Sequence, residues 1–146
     1  MSFSMIRTCP TCGARNRVRA QQLSFVVRCG SCKVTLPPIA EPLDVDQSAF
    51  ADIVGRSRVP VLVDFWAAWC GPCRAAAPVV RDLALEMAGR ALVLKVDTEA
   101  QPELSAQYGV RAIPNFVVLK DGRVVMQHPG LAPQDEMRRW LEDAGS

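Results

Sequence analysis

Histidine is almost absent from this sequence: its 146 residues include a single histidine, at position 128. Without a second histidine motif, a hydrolase with a cysteine–histidine pair is poorly supported. Long hydrophobic runs are also missing. The most apolar stretch, residues 59–69, contains Asp64 and falls far short of the roughly 20 residues that cross a bilayer. The sequence therefore predicts a protein with neither a membrane span nor histidine-based hydrolysis.

Acidic residues are missing from the first 40 positions, which carry six basic ones. Residues 41–146 hold the other 11 basic and all 15 acidic residues, so their net charge is −4. Opposite charges in the two segments indicate two modules. The N-terminal sequence MSFSMIRTCPTC has no apolar core and no small-residue cleavage site, so we expect no signal peptide. The predicted location is the cytoplasm, where thiols are kept reduced.

Six cysteines are present, and they form three Cys-x2-Cys pairs. The first two pairs are separated by 16 residues, the interval expected when two short turns present four thiolates to one tetrahedral zinc ion. A site with four protein ligands has no position for a metal-bound water, which favours one structural Zn²⁺ per chain over hydrolytic catalysis. The predicted zinc ligands are Cys9, Cys12, Cys29 and Cys32.

Other interpretations of these four cysteines remain open. Disulfides of a secreted protein would require an export signal, whereas redox-active dithiols would not, and oxidation would expel zinc. A basic cluster at positions 15, 17 and 19 suggests nucleic-acid binding, but it has little aromatic interleaving, so a solvated face is the better interpretation. Apolar residues between positions 18 and 27 are expected to form a short hairpin between the two cysteine pairs.

The domain organisation follows from composition and hydrophobic pattern. We predict a zinc-ribbon domain over residues 1–36, a proline-rich linker over 37–46 and an α/β domain over 47–146. In the α/β domain, helices and strands are expected in the order αβαβαββα, as a mixed sheet with helices on both faces. A nearly continuous apolar run at 59–66 is typical of a strand that is buried on both sides.

The third cysteine pair, Cys70-Gly71-Pro72-Cys73, lies between that strand and the predicted start of a helix. A cysteine at a helix N-terminus has a lowered pKa, because unpaired N–H groups and the helix dipole stabilise its thiolate. Cys70 is therefore the predicted nucleophile. Cys73, one turn later, can resolve the mixed disulfide that results, and Pro72 pre-sets φ for the helix. A third metal half-site is the alternative, but no partner pair remains to complete it.

The segment VDFWAAWCGPC at 63–73 resembles the active-site segment of thioredoxins, and so do YGVRAIP at 108–114, LKDG at 119–122 and Gly130. Together with the N-terminal cysteines, the chain is similar to the zinc-containing bacterial members of that family. The resemblance implies a thioredoxin fold, a mixed central sheet flanked by helices, with a small N-terminal zinc ribbon. It also implies a redox-active Cys70–Cys73 disulfide with no tightly bound organic cofactor.

Roles for further residues are implied by the resemblance alone. Asp64 corresponds to the family's buried proton acceptor for the second cysteine, and Lys95 to the lysine near it; a purely structural buried pair is the alternative. Ile113-Pro114 resembles the cis-proline turn beside the disulfide. Trp69, Gly71, Pro72 and Gly130 would border the same substrate groove. Asn115 departs from the pattern, because many thioredoxins have threonine after this proline.

The function predicted from these features is reduction of disulfides in protein substrates. The family resemblance implies re-reduction by an NADPH-dependent thioredoxin reductase, and thereby a part in cell redox homeostasis. Gly71-Pro72 between the cysteines resembles reducing members of the superfamily. The alternative function is a zinc-ribbon redox sensor or holdase, in which loss of zinc exposes an interaction surface. Neither a membrane nor a nucleic acid is an expected partner.

Overall fold

The computed structural model of the protein describes residues 2–145. It contains two small hairpins, followed by a five-stranded sheet with four helices. The strands are β1 (Ser4–Thr8), β2 (Arg15–Arg19), β3 (Val27–Arg28), β4 (Thr35–Leu36), β5 (Leu43–Asp44), β6 (Val61–Trp66), β7 (Leu92–Asp97), β8 (Asn115–Lys120) and β9 (Arg123–Pro129). The helices are α1 (Gln47–Arg56), α2 (Gly71–Glu86), α3 (Pro102–Gln107) and α4 (Gln134–Gly145).

Each N-terminal cysteine pair lies at the turn of its own hairpin. β1 pairs with β2 around the first pair, and β3 pairs with β4 around the second. The single hairpin expected between the two pairs, from residues 18–27, is therefore wrong. Its apolar residues instead follow β2 into a 3-10 turn, Ala20–Gln22, where Leu23 is buried while Phe25 and Val26 are exposed.

The main sheet has the strand order β5-β7-β6-β8-β9. β5 and β6 run parallel to β7, whereas β8 is antiparallel to both β6 and β9. The helix and strand order of the α/β domain agrees with the expected one except for β5, which lies inside the predicted linker and adds a strand to the sheet. Central strand β6 is buried along almost its whole length, as its apolar sequence predicts.

Local sequence signals set the ends of these elements. The Asp46 side chain caps α1 by accepting a hydrogen bond from the Ala49 N–H, at 2.8 Å. The turn between β8 and β9 is formed by Asp121 and Gly122, which both have positive φ, at 52° and 76°. An Asp-Gly pair is suited to such a turn because both residues tolerate the left-handed region. It brings β9 alongside β8 as an edge strand.

Two apolar layers lie on opposite sides of the sheet. One is formed with α2 and α4, and its largest buried members include Leu83, Phe116 and Met137. The other is formed with α1 and also takes in residues from the N-terminal segment, namely Val18, Ala20, Leu23 and Ile39. The N-terminal hairpins therefore share a hydrophobic core with the sheet domain. No helix within residues 2–145 is long and apolar enough to cross a bilayer.

Candidate active site and metal site

The dithiol lies where the central strand β6 gives way to α2. Cys70 is the N-cap of this 16-residue helix, and its Sγ accepts a hydrogen bond from the Cys73 N–H at 3.1 Å. A disulfide joins the two cysteines, and each residue is 4% exposed. Because the helix N-terminus presents unpaired N–H groups and a positive dipole, it stabilises a thiolate at Cys70 after reduction. Gly71 and Pro72, in the first turn of α2, are exposed beside the disulfide.

Asp64 lies within β6 and is only 1% exposed. Burial raises the pKa of its carboxyl to about 7, even though the charge of Lys95 acts to lower it. The Oδ1 atom has no hydrogen-bond partner among residues 2–145. A carboxyl with this pKa exchanges protons near neutral pH, which suits a group that must accept and release a proton.

Lys95 lies directly opposite Asp64 in the parallel pair of β6 and β7. Its Nζ is 4.5 Å from the centre of the Trp66 ring, a cation–π contact. No ion pair between Lys95 and Asp64 is found in the described part of the chain. Lys95 therefore acts on the Asp64 carboxyl through its charge, while its ammonium group lies over the Trp66 ring.

The Ile113–Pro114 peptide bond is cis, as the resemblance implies. The Ile113 carbonyl oxygen lies 3.7 Å from Cys70 Sγ, so this turn faces the disulfide. The Gly130 N–H donates to the Pro114 carbonyl at 2.8 Å, which joins the end of β9 to the same turn. The structure thus brings Gly130, the cis-proline turn and the dithiol into one region.

Trp69 is 66% exposed beside the dithiol, and its Nε1 donates to Glu99 Oε1 at 2.6 Å. A small cavity of about 220 Å³ lies between this indole and the cis-proline turn, and Val110 and Arg111 form part of its wall. Sequence reasoning missed Glu99 and Arg111. Both lie far along the chain from the dithiol. Glu99 belongs to no local motif, and Arg111 lies within the YGVRAIP segment at 108–114, which by itself assigns this arginine no role.

The four N-terminal thiols form a single cluster. Cys9 Sγ is 3.7 Å from Cys32 Sγ, and Cys12 Sγ is 3.6 Å from Cys29 Sγ. All four sulfurs lie within 4.8 Å of one another. A tetrahedron of thiolates at the usual zinc–sulfur distance of about 2.3 Å has edges of about 3.8 Å, so this donor set is close to that geometry. The cluster can hold one metal ion.

Backbone and side-chain donors surround the cluster. The N–H groups of Cys32 and Ser31 and the amide of Asn16 lower the pKa of the Cys29 thiol to about 6. The Asn16 Nδ2 lies 3.5 Å from Cys29 Sγ, and its Oδ1 accepts from the Gly30 N–H at 2.9 Å. Such outer-sphere contacts orient metal ligands and favour the charged form that binds metal.

Known proteins resemble this chain closely. The Thioredoxin family model matches residues 41–143. Thioredoxin C-3 of Corynebacterium nephridii is 38% identical over 138 residues, which is 94% of each chain. Thioredoxin 1 of Nostoc sp. is 45% identical over 98 residues, 67% of this chain and 92% of its own. Because residues 41–146 number only 106, the match to thioredoxin C-3 extends into the N-terminal segment.

Among solved structures, the N21Q mutant thioredoxin from Halobacterium salinarum superimposes with a TM-score of 0.68 at 36% identity. The superposition covers 73% of this chain and 93% of that one. Spinach chloroplast thioredoxin F gives the same TM-score at 32% identity, over 74% of this chain and 89% of its long form. The family match, these identities and the dithiol at the strand-to-helix junction lead to one conclusion: the chain belongs to the thioredoxin family and is a thiol-disulfide oxidoreductase.

Proposed function

We propose that this protein is a cytoplasmic protein-disulfide reductase that works through Cys70 and Cys73. The observation that carries the proposal is the position of Cys70. It caps α2 and forms a disulfide with Cys73, and it faces the Ile113 carbonyl of the cis-proline turn. A thiolate at a helix N-terminus is a nucleophile at neutral pH, and the adjacent turn offers backbone groups to an extended substrate segment.

In the first step, the Cys70 thiolate of the reduced protein attacks one sulfur of a substrate disulfide. The substrate S–S bond breaks, a mixed disulfide forms between Cys70 and the substrate, and the other substrate sulfur leaves as a thiolate that takes a proton. The positive end of α2 supports the thiolate before the attack. The substrate segment binds against one surface beside the dithiol, which is formed by Trp69, Gly71, Pro72, Ile113, Pro114 and Gly130.

In the second step, Cys73 attacks Cys70 Sγ and releases the substrate. Its thiol must first lose a proton, and Asp64 is the proposed acceptor, because its carboxyl has a pKa of about 7. Lys95 adjusts that acidity through its charge. The second substrate sulfur leaves as a thiolate and takes a proton from solvent, while Asp64 releases the proton that it accepted from Cys73. The substrate thus gains two electrons and two protons, and Cys70 and Cys73 become a disulfide.

Recycling requires a two-electron donor. An NADPH-dependent thioredoxin reductase is the proposed donor, so the nicotinamide is a cofactor of the partner and this chain needs no organic cofactor of its own. Thioredoxins as a family act with such reductases, and the family membership of this chain supports the same cycle. Disulfide-containing proteins of the cell are then its substrates.

Zn²⁺ is the proposed occupant of the N-terminal cluster, one ion per chain, with Cys9, Cys12, Cys29 and Cys32 as ligands. Four sulfurs near tetrahedral spacing and the Asn16 amide beside Cys29 Sγ support this assignment. A closed set of four thiolates stabilises the fold of the segment and leaves no position for substrate. The ion's role is therefore structural.

A second candidate function is a redox sensor or holdase, in which zinc release opens an interaction surface. It is favoured by the exposure of Cys12 and Cys32, because oxidants can reach both thiols. Loss of the metal would free the small apolar cluster around Leu36. The two functions assign activity to different cysteines, so mutation separates them.

The test measures insulin disulfide reduction with dithiothreitol, and zinc content, for the wild type, Cys70→Ser and Cys12→Ser. We expect Cys70→Ser to lose activity by about 100-fold or more, since the mixed disulfide with the substrate cannot form without the Cys70 thiolate. It should retain one zinc per chain. Cys12→Ser should lose zinc and keep most of the reduction. The opposite pattern would support the sensor.

A further inference from the structure

Asn115 is the first residue of β8 and directly follows the cis-proline. It is one of few buried polar residues, with 4% of its surface exposed. Its Nδ2 donates to the Ala112 carbonyl at 3.3 Å, and its Oδ1 accepts from the Gln127 Nε2 at 3.0 Å. Both ends of this buried amide are therefore satisfied, one by the cis-proline loop and one by the neighbouring strand.

Gln127 extends the connection to a second carbonyl. Its Nε2 also donates to the Tyr108 carbonyl at 2.9 Å, so both amide hydrogens are used. In the antiparallel pair of β8 and β9, Asn115 lies opposite Pro129, and Gln127 lies opposite Val117. The two amides are thus diagonal neighbours on one face of the sheet, within reach of each other. We call Asn115 and Gln127 the amide relay.

The relay holds the loop that forms one side of the substrate groove. It joins the carbonyls of Tyr108 and Ala112, which lie at the two ends of a turn before the cis-proline. Val110 and Arg111 line the 220 Å³ cavity beside Trp69, and the turn is followed by Ile113, whose carbonyl faces Cys70. A shift of this turn would therefore move the wall of the groove relative to the dithiol.

A threonine at position 115 could not make the same connection. Its hydroxyl lies one bond closer to the backbone than the amide atoms of asparagine, and it has a single hydrogen to donate. The side chain of Gln127 is exposed, so its removal leaves no cavity in the core. The relay can therefore be broken at one end without a large loss of folding stability.

We infer that Asn115 and Gln127 are positioning residues that fix the groove wall for extended polypeptide segments carrying a disulfide. The inference rests on the proposed function of the Cys70 dithiol. The relay touches neither sulfur, so it affects how well a polypeptide binds and leaves the reactivity of Cys70 unchanged. A small disulfide, which needs only the sulfur, does not depend on the relay.

The experiment compares Asn115→Thr, Gln127→Ala and the double variant with wild type. Gln107→Ala is the matched control, because Gln107 is an exposed glutamine for which the structure shows no side-chain hydrogen bond within residues 2–145. KM and kcat are measured for insulin, with excess dithiothreitol as reductant. The rate of reaction between the reduced protein and 5,5′-dithiobis(2-nitrobenzoate) measures Cys70 reactivity.

We expect each single variant to raise KM for insulin about three- to tenfold, the effect of losing one or two hydrogen bonds. KM of the double variant should not exceed the higher KM of the two single variants, since either change breaks the same relay. kcat and the rate with the small disulfide should stay at the wild-type values, as should every parameter of Gln107→Ala.

An unchanged KM in Gln127→Ala, or additive effects in the double variant, would overturn the inference. Equal losses with insulin and with the small disulfide would also overturn it, because they would indicate damage to the dithiol itself. If Asn115→Thr fails to fold, Gln127→Ala still decides the question. The proposed function fails separately, when Cys70→Ser retains activity.

Discussion

The cysteine pairs of the ribbon and the pair at α2 have the same spacing but different sulfur partners. In the ribbon, each sulfur approaches a sulfur of the other pair, as in Cys9 with Cys32. At α2, Cys70 forms a disulfide within its own pair. Identical sequence intervals thus give a cluster of four thiols that can hold a metal ion in one region and a disulfide in the other.

The difference begins one residue after the second cysteine. All three pairs start with the same turn. The residue four positions after the first cysteine donates its N–H to the carbonyl of that cysteine, as Gly13, Lys33 and Arg74 do. In the ribbon, Gly13 and Lys33 then adopt positive φ, 78° and 69°, and the chain reverses into a hairpin. Arg74 instead continues the helix. The backbone conformation after the turn therefore decides whether the sulfurs of a pair face another pair or each other.

Metal removal is the largest perturbation that this contrast allows. A chelator should unfold the two ribbon hairpins, because structural zinc contributes about 10–16 kcal/mol to small zinc domains. Circular dichroism and limited proteolysis of residues 1–40 would detect the loss. Insulin reduction should persist, since the α2 dithiol does not contain a metal ligand. Loss of activity in proportion to zinc, restored on adding zinc back, would show that the two regions do not act separately.

Asp64→Asn tests the other region through pH. The folded carboxyl has a pKa of about 7, above its ordinary value of 3.8, so the folded state holds a proton that the unfolded state has lost. Stability therefore falls as pH rises from 4 to 7, by about 4 kcal/mol in all. Asparagine should remove this loss. Urea unfolding of the oxidised protein at pH 4 and pH 8 measures it.

At pH 8 the Asp64→Asn variant should be more stable than wild type by several kcal/mol, and at pH 4 the two should be similar. Asp82→Asn is the matched control, because Asp82 is an exposed carboxyl. A wild-type stability that does not change between these pH values would contradict a buried carboxyl with a raised pKa.

Leu23→Ala examines how firmly the two regions are joined. Leu23 is 1% exposed and belongs to the same core as Phe50 and Ile53 of α1. Its truncation should cost about 2–5 kcal/mol of unfolding free energy. Phe25→Ala, at a residue that is 47% exposed, should cost much less. Equal effects of the two substitutions in thermal and urea unfolding would mean that the ribbon does not share the core of the sheet domain.

Gly13→Ala against Gly71→Ala is the finest test of the contrast. Gly13 has φ of 78°, where alanine is strained by about 1–2 kcal/mol. Gly71 has no positive φ, and the nearest atom to an added Cβ is 4.0 Å away, so alanine fits there. Gly13→Ala should weaken zinc binding in a competition assay, whereas Gly71→Ala should retain it. Equal zinc affinity in both variants would show that the positive φ of Gly13 is not needed for metal binding.

Sequence patterns predicted the elements that carry strong local signals. The order of helices and strands in the α/β domain is confirmed, and the apolar run at 59–66 contains the buried strand β6. The strand β5 was missed, because two residues with pairing to β7 alone leave no periodic pattern. The ribbon hairpin was assigned to the wrong segment, because the apolar residues at 23–27 pack on α1 or remain exposed, and do not pair with one another.

The candidate sites divide in the same way. The candidate metal ligands and the dithiol cysteines were predicted from their spacing, which is a local property. Glu99 and Gln127 were not, because each meets its partner through the fold, across 30 residues to Trp69 and 12 residues to Asn115. Asn115 could be singled out only as a departure from a family pattern, and its two hydrogen bonds required the arrangement of β8 and β9.

The shared core has a consequence for shortening this chain. Phe3 donates its N–H to the Asp52 carboxylate of α1 at 2.7 Å, and the Ile39 N–H donates to the Leu23 carbonyl beside the same helix. Cutting the chain after the linker would remove the Phe3 donor from Asp52, which would keep only its contact with Arg56, and would leave part of the α1 layer open to water. Such a fragment would tend to self-associate through the uncovered apolar surface. A shortened protein without the ribbon would therefore need polar residues on that side of α1 to remain monomeric.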